Sequence, residues 1–113
     1  MRYRRIELLE LFLDGVGLLP IKAILTVRQD EPVAGVYGVV GWSVDAVVRG
    51  LTRAGVEVTI EGRTASGRIF RGQAVTTTQS NDWDPDGVRA TLALRGNGPL
   101  DGFDASTDFT SPI

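Results

Sequence analysis

Hydrophobic and polar positions in this chain alternate with a period of two over most of its length. Ile21, Ala23, Leu25 and Val27 share one face against Lys22, Thr26 and Arg28, which predicts a strand over residues 21–29 ended by Asp30-Glu31-Pro32. Val56, Val58 and Ile60 against Glu57, Thr59 and Glu61 predict a half-buried strand. A return strand from Arg68 to about Ser80 follows the loop 63–67, with Gly72 expected at a bulge and Thr76, Thr77 and Thr78 favouring β structure through their branched Cβ. Asn81 to Gly87 reads as a polar loop, and Val88, Ala90, Leu92 and Leu94 against Arg89, Thr91, Ala93 and Arg95 give the cleanest strand.

Two segments depart from this pattern. Residues 4–13 mix helix-favouring Glu and Leu with an alternation that breaks at Glu10; helix and strand both stay open, with a bulged strand preferred, and Asp14-Gly15 marks a turn after it. Residues 43–54 carry Val44, Val47, Val48 and Leu51 at helical spacing, Ser43 as a cap, Asp45 in the first turn, Arg49 and Arg53 late, and Gly55 as a stop, which predicts a helix. Gly50 inside it costs about 1 kcal/mol relative to alanine. Gly35, Gly38 and Gly41 mark a flexible or closely approached connection before it. The expected fold is therefore mainly β with an α element (α+β): a small antiparallel sandwich or barrel with one flanking α-helix, occupying residues 1–100. Residues 101–113, rich in Asp, Ser and Thr with isolated Phe103, Phe109 and Ile113, are expected to form an acidic C-terminal tail, or an arm ordered by a neighbouring subunit.

Composition narrows the chemistry. A chain of 113 residues supports one core, and no apolar run approaches the roughly 20 residues of a membrane span; a soluble protein without a signal peptide is expected, since Leu8–Leu13 is broken by Glu10. There is no cysteine and no histidine, which removes thiolate zinc sites, cysteine nucleophiles and the commonest general base. The net charge is −2, spread unevenly: residues 81–113 hold six aspartates against Arg89 and Arg95.

Each candidate site has a plain structural alternative. Asp82-Trp83-Asp84-Pro85-Asp86-Gly87 reproduces the opening of a calcium loop, where alternate carboxylates Asp82, Asp84 and Asp86 converge on one cation, but the closing bidentate ligand position falls on Ala93 and no helix flanks it. A hairpin turn explains Pro85-Asp86-Gly87 as well. The glycines at 35–41 and 96–98 lack the spacing and the lysine of phosphate loops. Ser43, Ser66 and Ser80 have no activating base, and Glu57 with Glu61 read as a solvated strand face. Arg2, Tyr3, Arg4 and Arg5, with Arg63, Arg68, Phe70 and Arg71, interleave basic and aromatic groups as nucleic-acid binders do, opposed by the acidic balance. Trp42 reads as a core anchor and Trp83 as a loop contact. No catalytic, cofactor-binding or metal constellation emerges, and no cofactor is expected.

From Gly41-Trp42-Ser43 to Leu100 the chain resembles the tail tube proteins of long-tailed bacteriophages. The resemblance rests on Gly41–Val48, on Ala54-Gly55-Val56-Glu57-Val58-Thr59, on Phe70–Thr78, and on Ala90–Leu94 running into Arg95-Gly96-Asn97-Gly98-Pro99-Leu100, while Leu9–Gly15 is similar to the family's opening strand and turn. It implies a β-sandwich or small barrel that assembles as homo-oligomeric rings or stacks with other virion proteins, around a channel through which DNA passes without sequence-specific binding. It also implies residence in the virion, and in the host cytoplasm during assembly. Apolar positions on both faces of a strand, such as Ile24 beside Leu25, fit a subunit that needs a partner surface. The expected contacts are Arg4, Leu9, Leu11, Trp42, Phe70, Phe103 and Phe109. The same fold serves head–tail joining, decoration and terminator proteins. The alternative is a small monomeric binding module: a phage-encoded inhibitor of a host protein, or an arginine-rich nucleic-acid binder.

Overall fold

The computed structural model describes residues 1–50 and 52–113, with every side chain among them except that of Asp84. The strands are β1 (Arg2–Glu7), β2 (Glu10–Leu13), β3 (Val16–Gly17), β4 (Pro20–Gln29), β5 (Val40–Arg49), β6 (Glu57–Arg63), β7 (Ile69–Asp84) and β8 (Gly87–Gly96). All pair antiparallel in one sheet of order β1-β4-β5-β8-β7-β6-β2-β3, curled into a half-barrel. Its inner face holds the core: Leu11, Leu25, Val27, Val44, Val48, Ile60, Phe70, Leu92 and Leu94 are almost wholly buried.

The expected helix over residues 43–54 is absent, and no helix forms among the described residues. Residues 43–49 belong to β5, and Leu51 lies outside the described residues. The same stretch that offered Val44, Val47 and Val48 at helical spacing also alternates Trp42, Val44, Ala46 and Val48 inward against Asp45 and Arg49 outward. Pairing decides between the two periods: β4 on one side and β8 on the other satisfy the backbone of β5, and its many valines fit a pleated, half-buried surface. Gly50 follows at φ 89°, a left-handed residue after the strand and no interruption of a helix.

Residues 4–13 are two strands and not one bulged strand. β1 pairs with β4 and β2 with β6. The Leu8 amide donates to the Ala23 carbonyl (2.8 Å) and the Leu9 amide to the Arg63 carbonyl (2.7 Å), so the chain passes there from one half of the curled sheet to the other. The polar loop expected over residues 81–87 is also shorter than its composition implied: β7 runs to Asp84 and only Pro85-Asp86 turn.

The register irregularity of β7 falls between Thr76 and Thr78 and not at Gly72. Thr77 is the extra residue, and its hydroxyl donates to the Ala93 carbonyl (3.0 Å). Gly72 and Gly96 serve a different need. A Cβ on Gly72 would lie 2.6 Å from Trp42 Cζ2 and 2.9 Å from the Pro99 carbonyl oxygen, and one on Gly96 would collide with the indole as well. The Trp42 ring therefore lies across β8 and β7 on backbone alone, and its Nε1 donates to the Gly98 carbonyl (2.9 Å).

Residues 101–113 lie against the domain itself. Arg71 and Asp101 exchange backbone hydrogen bonds (3.0 and 2.7 Å), Leu100 is buried, and Phe103, Phe109 and Ile113 pack against the core.

Candidate interaction surfaces

Four features of the surface could engage a partner: a loop, a hairpin tip, a trough on the outer sheet face, and the C-terminal segment.

The loop between β4 and β5 is an apolar projection. Val33 and Val36 exchange backbone hydrogen bonds of 3.0 Å each around Ala34 (φ 52°) and Gly35 (φ 79°), the left-handed pair of a tight hairpin turn. This ordered turn leaves Val33 79%, Val36 70% and Val39 93% exposed. At its base the Gln29 amide donates to the Gly38 carbonyl (2.9 Å), and Arg2 stacks on the Tyr37 ring at 4.8 Å.

The β7–β8 hairpin outruns β6, whose pairing stops at Val75. Connector backbone meets the free side of β7 through side chains: Gln79 accepts from the Ala54 amide (2.9 Å) and donates to its carbonyl (3.1 Å). At the tip Trp83 is 73% exposed.

On the outer face of β1, β4, β5 and β8, cross-strand register sets Arg5, Thr26, Ser43 and Arg95 in one row and Glu7, Ile24, Asp45 and Ala93 in the next. Two hollows of about 480 and 400 Å³ share Thr26, Asp45 and Ala93 and make one trough. Arg28 and Arg95 stand on the first, Arg5 and Lys22 on the second, and Asp45 is the one carboxylate among the described residues lining either. None of these four cations makes an ion pair among the described residues.

Arg2, Arg63, Arg68 and Arg71 are engaged. Arg63 pairs with Glu10 and Glu61, and Arg71 approaches Glu61. Arg68 grips Asp108 with two nitrogens (3.3 and 2.8 Å) and donates to the Gly102 carbonyl (2.6 Å). Asp108 also accepts from the Asp104 amide (2.7 Å). Hydrogen bonds from Arg68 hold the Asp108 carboxyl below its usual range against the opposing effect of burial, and the same bond raises Arg68. Asp104 is lowered by hydrogen bonds from the Ser106 hydroxyl (2.6 Å) and amide (2.9 Å). Phe70, Phe103 and Phe109 stack in sequence, at 6.3 and 5.0 Å between centroids. Arg2 caps the stack, 4.4 Å from the Phe109 ring, while donating to Gln29 Oε1 (2.7 Å) and the Ala105 carbonyl (3.1 Å).

Of the contact residues read from sequence, Leu11, Trp42 and Phe70 are buried in the chain's own core. Arg4 is half-buried opposite Val27, Phe103 and Phe109 are half-buried in the aromatic stack, and Leu9 is exposed at the crossing between β1 and β2. Arg2, Arg63, Arg68 and Arg71, read as part of a nucleic-acid surface, are taken up by bonds within the chain. Asp82 lies on β7 and Asp86 in the turn, while the Asp84 side chain lies outside the described set; no group of three His, Cys, Asp or Glu close enough to hold a metal occurs among the described residues. The loop valines and the pair Arg28 and Arg95 escaped the sequence reading. Arg28 was legible as outward-facing, but the row joining it to Arg95 exists only through strand order.

Compared with protein-family models, with curated proteins and with solved structures, the chain matches none.

Proposed function

We propose that this chain is a structural subunit of a virion that self-associates into rings or stacks, a tail tube-like or tail-associated protein and not a catalyst. The observation that carries the reading is the loop Val33–Val39. Its turn is closed by two backbone hydrogen bonds, yet it holds Val33, Val36 and Val39 out to water. Ordering a segment to expose valines is costly unless another surface covers them. The resemblance to tail tube proteins supports the same reading, and in such an assembly DNA would pass along a channel without being read. The working locations are the virion and, before it, the host cytoplasm. Size-exclusion chromatography with light scattering and negative-stain microscopy tests it. Rings or tubes are expected, and Val33→Ser, Val36→Ser and Val39→Ser together should lower the assembled fraction with Tm little changed. A wild-type protein that stays monomeric at its highest workable concentration would overturn the reading.

A second reading, a small binding module, is favoured by the four cations of the outer trough, which make no ion pair among the described residues. It predicts a monomer that retains single-stranded oligonucleotide or an acidic host protein, with retention falling steeply as salt rises.

A further inference from the structure

We propose that the outer trough holds a single strand of nucleic acid, with its phosphates on Arg5, Lys22, Arg28 and Arg95 and a base stacked on Tyr3. This rests on the second reading, the binding module, and narrows it to one class of ligand; the virion reading does not depend on it.

The cations are placed as a set. Arg5 and Arg95 end one row across β1, β4, β5 and β8, three strand spacings or roughly 14 Å apart. Between them stand Thr26 and Ser43, whose hydroxyls can donate to a phosphate oxygen. Arg28 belongs to the neighbouring row, opposite Gly41. A Cβ on Gly41 would lie 3.7 Å from Arg28 Nε, so the Arg28 side chain leans along the bare β5 backbone and lines the hollow that Arg95 lines from β8. Arg5 and Lys22 line the second hollow, joined to the first at Thr26, Asp45 and Ala93. All four cations are exposed and make no ion pair among the described residues. Like charges gathered on one face repel one another, and a polyanion relieves the repulsion. Asp45 and, at the end of its row, Glu7 are too few to do so.

Tyr3 selects a single strand of nucleic acid over other polyanions. It stands opposite Arg28 in the β1–β4 register and shares the outer face with it, whereas the next pair, half-buried Arg4 and buried Val27, turns inward. Tyr3 is 61% exposed. An open aromatic ring among cations suits unpaired bases, while a duplex keeps its bases stacked and an acidic protein has none. The acidity of residues 101–113 does not oppose this, because Phe103, Phe109 and Ile113 fasten that segment to the core and Arg68 holds Asp108.

Fluorescence anisotropy with a labelled oligothymidylate of about 12 nucleotides, titrated with sodium chloride, tests this. Four phosphate contacts give a slope of log affinity against log salt of roughly −3. Arg28→Ala with Arg95→Ala should halve that slope and weaken binding by about tenfold or more. Tyr3→Ala should weaken binding by roughly tenfold, as for one stacked base, with the slope kept and with no effect on an abasic phosphodiester of the same length. Circular dichroism melts matching wild type exclude unfolding as the cause. Oligothymidylate binding indifferent to the Arg28 and Arg95 substitutions would overturn the site, and binding indifferent to Tyr3→Ala would overturn the stacked base. Retention of a polyglutamate peptide and not of oligothymidylate, lost in the double arginine variant, would overturn the nucleic-acid ligand while leaving the binding module standing. A wild type that retains neither probe at about 50 mM sodium chloride would remove both.

Discussion

Trp42 shows how one residue imposes requirements on residues far along the chain. Its ring occupies the space that side chains at positions 72 and 96 would need, and its Nε1 is satisfied by the Gly98 carbonyl. Gly72→Ala should therefore destabilise by about 1–3 kcal/mol, as overpacking does in a close-packed core, measured as a lower urea midpoint with unchanged slope. The Pro99 carbonyl limits relaxation on the other side, because it is backbone and not the end of a flexible side chain. Trp42→Phe should cost about 1 kcal/mol or more through the lost hydrogen bond and the orphaned Gly98 carbonyl.

At the scale of elements, the C-terminal segment closes the open side of the half-barrel by polar bonds around a small aromatic stack. Its main fastening, Arg68 to Asp108, ties stability to pH in a definite direction. The folded Asp108 carboxyl titrates below the unfolded one, so the folded state favours the ionised form. That contribution is fully present above the ordinary aspartate range near pH 4 and is lost as pH falls through the lower folded value. Melts of wild type and Asp108→Asn should differ most at neutral pH and converge in acid, with Asp104 adding a dependence of the same sign to both proteins.

The β5 segment carries the complementary lesson. Its valines satisfied a helical spacing and a strand spacing at once, and its neighbours decided. Local pattern identified β4, β6 and β8 because there the period of two had no rival: Leu25, Ile60 and Leu92 each sit inward with polar residues between. The pattern misplaced the end of β7 because Asn81, Asp82 and Trp83 are poor in apolar alternation, while pairing with Ala90, Arg89 and Val88 holds them extended.

Across the whole molecule, charge is sorted in a way no stretch of sequence displays. Acidic groups meet arginines around β6 and in the C-terminal segment, while Arg5 of β1, Lys22 and Arg28 of β4 and Arg95 of β8 face out without an ion pair among the described residues. If these outward cations join copies, assembly must weaken with salt: sodium chloride raised from about 10 mM to about 1 M shortens the Debye length from roughly 30 to roughly 3 Å. Light scattering at both salts should then show smaller species at the higher one. Contacts made only by the loop valines would be indifferent to sodium chloride.

The sequence by itself determined that this is a β-rich chain with one core, and most of the positions that face inward, because alternation is a local property that burial only ratifies. It also marked the sites of turns at Asp14-Gly15 and Pro85-Asp86, where backbone preference acts within two residues. Tertiary structure alone decided that residues 43–49 are a strand, that Leu8–Leu9 carries the chain across the half-barrel, and that Gly72 is small for the sake of an indole thirty residues away. It alone brought Arg28 and Arg95 to one trough and sealed Phe70 beneath Phe103. Those outcomes depend on which strands become neighbours, and a strand's neighbours are fixed by pairing over long stretches of chain and not by its own residues.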